Sequence, residues 1–98
     1  MDYSTKIDAQ TWAFIEETGK YYPPDAVTLT VAEQRDVYDR MCRAFHRGYP
    51  DGITVSDLDA GGVPCRLYVP SQVADITVLY FHGGGFVVGG LESHDDVC

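Results

Sequence analysis

The run Ile76-Thr77-Val78-Leu79-Tyr80-Phe81 ends in His82 and three consecutive glycines, Gly83 to Gly85. Nothing else in the chain constrains its fold as much. The run is nearly continuous in apolar and β-prone side chains, which predicts a strand covered on both faces. Consecutive glycines raise the conformational entropy lost on folding, so a local requirement has to offset that loss. Glycine lets backbone N–H groups turn toward one point and lets a ligand approach the main chain. Both properties suit a site that stabilises negative charge.

Two phosphate-binding frames fit this loop poorly. A dinucleotide fingerprint needs G-x-G-x-x-G, and from Gly83 the sequence reads Gly-Gly-Gly-Phe-Val-Val. A P-loop needs Gly-Lys followed by Ser or Thr, and no lysine follows Lys20.

The chain changes character near residue 50: helical signals precede it, and strand and turn signals follow. Asp8 is placed to cap a first helix running to about Gly19, with a short apolar stripe of Trp12, Phe14 and Ile15. Tyr21-Tyr22-Pro23-Pro24 breaks that pattern. Thr30 and Glu33 form a Thr-x-x-Glu capping box at the start of a second helix. Val37, Tyr38, Met41 and Phe45 then share one face, and Gly48 and Pro50 end the helix. His46 stands at the helix end, where a cation suits the dipole. From Ile53 the period becomes two. Ile53, Val55 and Leu58 mark one strand, Gly61-Gly62 a turn, and Val63 to Val69 a second strand with Cys65, Leu67 and Val69 on one face. Pro64 fits an edge or an early strand position. After the glycine loop, Ser93-His94-Asp95-Asp96 reads as a capped, acidic first turn of a helix. The chain stops one turn into that helix, so 51–98 reads as a core incomplete at Cys98.

Composition narrows the partners. The formal charge of −8 over 98 residues disfavours nucleic acid and anionic membranes, which need clustered Lys and Arg. The three cysteines, Cys42, Cys65 and Cys98, form no zinc-spaced set, and their odd count fits a reducing compartment. The N-terminus lacks a signal-peptide pattern, and no apolar stretch approaches the ~20 residues of a membrane helix. These features predict a cytoplasmic protein.

Tyr80-Phe81-His82-Gly83-Gly84-Gly85-Phe86 resembles the HGGG signature of lipases and esterases, which follows a sheet strand. Together with Gly89-Gly90 and Ser93-His94, it is similar to the hormone-sensitive-lipase-like family of bacterial carboxylesterases. The specific resemblance covers residues 79–94. The resemblance implies an α/β class: the N-terminal part of an α/β-hydrolase fold, with a helical cap segment over 1–50 and the start of the core over 51–98. The core would open with the antiparallel strand pair and a central buried strand leading to the oxyanion loop.

The implied chemistry is serine-dependent hydrolysis of small, short-acyl esters, a mechanism that uses neither metal nor cofactor, with the remainder of the hydrolase fold supplied by the same or another polypeptide. By position, the Gly84 and Gly85 amides are the expected oxyanion donors, Gly83 shapes the turn, and His82 orients the loop. Trp12, Phe14, Tyr21, Tyr22 and Phe45 are the expected apolar walls of an acyl pocket. The chain departs from the family at the nucleophile. Ser4, Ser56, Ser71 and Ser93 all lack a G-x-S-x-G frame, so nucleophile, acid and base are expected outside these residues and the 98 residues alone are expected to be inactive. Two other readings stand beside this one: a catalytically inert binding or regulatory module derived from a hydrolase, and a truncated product without a function of its own.

Overall fold

The computed structural model describes residues 2–73 and 75–98; the polar turn expected after Pro70 includes Ala74, which lies outside them. The described chain is a small mixed α/β arrangement of two helices and one antiparallel strand pair. Helix α1 spans Ala9–Gly19 and α2 spans Val31–Ala44, with a single 3-10 turn at Ala26–Thr28 between them. Strands β1 (Ile53–Asp59) and β2 (Pro64–Pro70) follow. No described helix is long and apolar enough to cross a membrane.

Both helix starts are built as the sequence predicts. Asp8 accepts the Thr11 N–H at 2.9 Å, and hydrogen bonds from the Thr11 hydroxyl and amide hold its carboxyl below the usual carboxylate range. At α2 the reciprocal box is complete. Glu33 N–H donates to Thr30 Oγ1 at 3.2 Å, and Thr30 N–H donates to Glu33 Oε2 at 2.7 Å. Helix α2 ends at Ala44, ahead of the expected Gly48 stop. Phe45 forms the C-cap, and its N–H bonds back to Cys42 and Arg43 carbonyls.

The hairpin follows from its turn. Gly61 and Gly62 have φ of 67° and 91°, the positive pair that a two-residue loop matched to strand twist requires. Ala60 and Val63 exchange backbone bonds across it, and Asp59 Oδ1 accepts the Gly62 N–H at 2.7 Å. Register then runs from Asp59↔Pro64 to Ile53↔Pro70. Pro64, without an N–H, occupies the first position of β2.

At three places the structure differs from, or adds to, what the sequence predicts. The central strand at 76–81 joins no ladder among the described residues; Val78 is 84% and Phe81 86% exposed. Its composition suits a strand, but a strand exists only where a neighbour offers N–H and C=O groups, and no described segment does. Along β2, Cys65 and Val69 on one face and Arg66 and Tyr68 on the other are half-buried, while Leu67 is exposed. Arg66 and Tyr68 join an ionic network on their face of the strand. Finally, residues 91–97 form turns and not a helix. Ser93 Oγ accepts the Gly90 N–H at 2.8 Å, and none of the amides after it bonds to it.

Val37, 5% exposed, is the one buried apolar side chain among the described residues. Local devices therefore carry an unusual share of the order. Replacing Thr30 with Ala removes the α2 cap and is expected to cost about 1 kcal/mol. The check is the urea midpoint of the variant against wild type, together with helical circular dichroism. An unchanged midpoint would show that the box contributes nothing.

Candidate functional site

The glycine loop closes on the Gly84 carbonyl, which accepts the N–H groups of Val87 and Val88, each at 3.1 Å. Gly84 has φ of 130°, and a Cβ placed there would lie 1.8 Å from the Val88 carbonyl oxygen. No L side chain fits that approach. Gly85 follows at φ 62° and Phe86 at 61°, so two successive residues are left-handed. For a bulky aromatic this conformation is strained by roughly 1–3 kcal/mol, and such strain persists only where surroundings over-determine it. Phe86 itself is fully exposed.

The strained turn has a chemical consequence. Neither the Gly84 nor the Gly85 N–H has an acceptor among the described residues. Gly85 lies at the surface and Gly84 is half-buried. Two adjacent donors that the described residues do not satisfy can be satisfied by an incoming anion or by a carbonyl oxygen gaining negative charge. Gly83 has no left-handed φ. His82 Nδ1 lies 2.8 Å from the Gly83 carbonyl oxygen, which the imidazole reaches as a donor. The His82 ring also packs 5.3 Å from that of His94.

Helix α2 reaches the loop directly. Arg35 Nε donates to the Val87 carbonyl at 2.6 Å, fixing the far side of the turn. Beside that contact, Tyr22, Val27, Leu29, Val37, Val87 and Val88 line an open groove of about 410 Å³. Of the five aromatics expected to wall an acyl pocket, only Tyr22 lines this groove. Phe14 and Phe45 instead pack on each other, ring centroids 5.3 Å apart. The sequence offered no local signal for Arg35, since its partner lies 52 residues away.

A second polar cluster lies behind the loop. Asp95, only 7% exposed, is reached from two segments. Tyr68 OH and Arg66 Nη1 (3.2 Å) approach Oδ1 from β2, while His46 Nε2 (2.9 Å) and Tyr49 OH (2.7 Å) approach Oδ2 from the chain after α2. Arg66 also holds Asp57 bidentately, at 2.7 and 3.1 Å, and Glu92 at 2.9 Å. The expected acidic first turn is thus corrected: Asp95 points inward as an ion-pair hub, and Asp96 accepts the Arg47 N–H at 2.9 Å. His46, placed by sequence at a helix dipole, is a partner of this hub.

Burial alone would raise the Asp95 carboxyl, but hydrogen bonds from Tyr68, Tyr49, Arg66 and His46 outweigh it and hold it at about 2. Burial, then the bond to Asp95, pushes Tyr68 above the ordinary phenol range. The bonds to Asp57 and Glu92 keep Arg66 firmly charged.

Other side chains offer little chemistry. Burial raises the Cys42 and Cys98 thiols, which makes them poorer nucleophiles. Ser93 Oγ lies 2.9 Å from His94 Nδ1 but also bonds to the Gly90 N–H and carbonyl, so it serves the turn. No group of His, Cys, Asp or Glu among the described residues is placed to hold a metal ion.

Because the folded Asp95 carboxyl is depressed, its stabilisation is complete above the ordinary value of 3.8 and is lost as pH falls toward about 2. At ~1.4 kcal/mol per pK unit this amounts to roughly 2 kcal/mol. The urea midpoint of wild type is expected to fall more steeply over that acid range than the midpoint of Asp95→Asn; parallel profiles would contradict the assignment. No protein-family model matches the chain.

Proposed function

We propose that the chain is the oxyanion-loop segment of a serine carboxylic ester hydrolase acting on small, uncharged, short-acyl esters. The observation that carries this reading is the adjacent Gly84 and Gly85 N–H pair, without acceptors among the described residues, on a turn that has no room for a side chain at Gly84. The strand-like run and the His-Gly-Gly-Gly-Phe sequence support it, as does an apolar groove beside the turn. In this reading the wider fold is an α/β-hydrolase. The segment 76–81 is its central strand, paired by neighbours outside these residues.

The mechanism assigns this chain a passive electrostatic task. A serine hydroxyl outside the segment attacks the ester carbonyl while a histidine takes its proton. The carbonyl oxygen becomes an oxyanion, and the Gly84 and Gly85 amides donate to it. Their value lies in being fixed beforehand, so no reorganisation is needed as charge develops. His82 and Arg35 hold the two ends of the turn. The alcohol leaves with the proton returned by histidine, and water then releases the acid by the same route. No step in this chemistry calls on a metal or redox cofactor.

The test uses p-nitrophenyl acetate and the full-length polypeptide that carries this segment. Wild type is expected to hydrolyse the ester, and the 98 residues alone are not. Gly84→Ala forces the turn open and is expected to lower kcat by about 10²–10³, the loss typical of one oxyanion donor. Full activity in that variant, or an inactive full-length wild type, would refute the reading. Ester binding without turnover would instead favour an inert binding module.

A further inference from the structure

We infer that Asp95 is a positioning residue for the glycine loop: the turn it anchors clamps Gly89 and Gly90, and through them the backbone around Gly83 and Gly84. For its kinetic consequence the inference rests on the proposed oxyanion role of that loop.

The contacts run in sequence from hub to loop. The turn that starts at Leu91 is fixed to the rest of the chain at several points. Arg66 Nη1 donates to the Leu91 carbonyl at 3.4 Å and Arg66 Nη2 pairs with Glu92. Asp95 gathers His46, Tyr49, Arg66 and Tyr68, and Asp96 takes the Arg47 N–H. From this fixed base the turn grips the glycines before it. Ser93 Oγ accepts the Gly90 N–H at 2.8 Å, and the His94 N–H donates to the Gly90 carbonyl at 3.3 Å.

The His94 ring stands over the last part of the loop. A Cβ on Gly89 would lie 3.3 Å from His94 Cε1, 2.9 Å from His82 Nδ1 and 2.5 Å from the Gly83 carbonyl oxygen. The loop's end is therefore packed on its own beginning, with His94 as the wall behind it. Tyr38 and Tyr80 flank the same ring, with centroids at 6.3 and 6.2 Å. Gly84, in turn, meets the Val88 carbonyl immediately before Gly89.

A charged carboxylate suits this task better than a neutral group. It accepts from several donors at once, and each charge-assisted bond is about twice as strong as a neutral one. Removing the charge leaves the donors of four side chains around a weaker acceptor in a mostly buried place, and the turn is free to shift. Displacements near 1 Å at a catalytic group are known to cost on the order of 10²-fold in rate.

Asp95→Asn and Tyr49→Phe are made in the full-length polypeptide with glycine-specific ¹⁵N labelling. Asp95→Asn is expected to move the amide resonances of Gly84, Gly85 and Gly89 and to leave Gly61 and Gly62, at the hairpin tip, in place. Ester hydrolysis is expected to fall on the order of 10- to 100-fold in kcat with KM nearly unchanged, since the loop acts on the transition state. Asp95→Glu is expected to recover part of the loss. If the hairpin resonances collapse in Asp95→Asn, the variant has not folded and Tyr49→Phe decides, with the same loop resonances moving by less. Loop resonances at wild-type positions in the deciding variant overturn the inference. Loop resonances that move in a polypeptide whose wild type hydrolyses no ester uphold the positioning and remove the esterase reading alone.

Discussion

A carboxylate taken out of water is costly unless donors replace its hydration, and Asp95 is placed so that four side chains do so. Those donors come from β2 and from the chain after α2, segments that otherwise share little buried apolar surface. With Val37 as the only buried apolar side chain described, hydrophobic packing cannot set the relation of hairpin, helix and C-terminal turn. The ionic hub sets it instead. The arrangement is directional, which packing alone is not, and it fixes where the turn after the glycine loop must lie.

The loop is held from two sides by unlike means. On one side Arg35 reaches from α2 to the Val87 carbonyl; on the other, Ser93 and His94 close over Gly89 and Gly90. Between these supports, the backbone at Gly84 to Phe86 keeps a positive-φ path that costs energy, and none of its three N–H groups has an acceptor among the described residues. Strain beside unsatisfied donors is a condition in which backbone geometry can serve an outside group; in the proposed function that group is the oxygen of a reacting ester. The helical segment and the core segment are thus joined mechanically at the proposed site, although the sequence divides them near residue 50.

Local features were legible in the sequence because their partners lie within a few positions. The Asp8 cap, the Thr30–Glu33 box and the Gly61-Gly62 turn each involve residues at most four apart, and composition at those positions encodes the geometry. The hub was not legible. His46 and Asp95 are 49 residues apart, Tyr49 and Asp95 46, and Tyr68 and Asp95 27. Asp95 read as a solvated first-turn acid, since Ser-His-Asp-Asp matches a helix start equally well. Likewise the alternation in β2 marks Cys65, Leu67 and Val69 as one face but carries no signal that Arg66 and Tyr68, on the other, join a network with partners elsewhere in the chain. The pairing of 76–81 depends on neighbours, which no property of that segment supplies.

Central to the proposed function is donation by the Gly84 and Gly85 amides to an oxyanion. The most direct measurement is their proton chemical shift when the full-length polypeptide is treated with a phosphonate ester, which forms a tetrahedral, negatively polarised adduct on a reactive serine. Both resonances are predicted to move downfield as the adduct forms, with Gly61 and Gly62 unmoved. An adduct that leaves Gly84 and Gly85 where they were would contradict the oxyanion role of the loop.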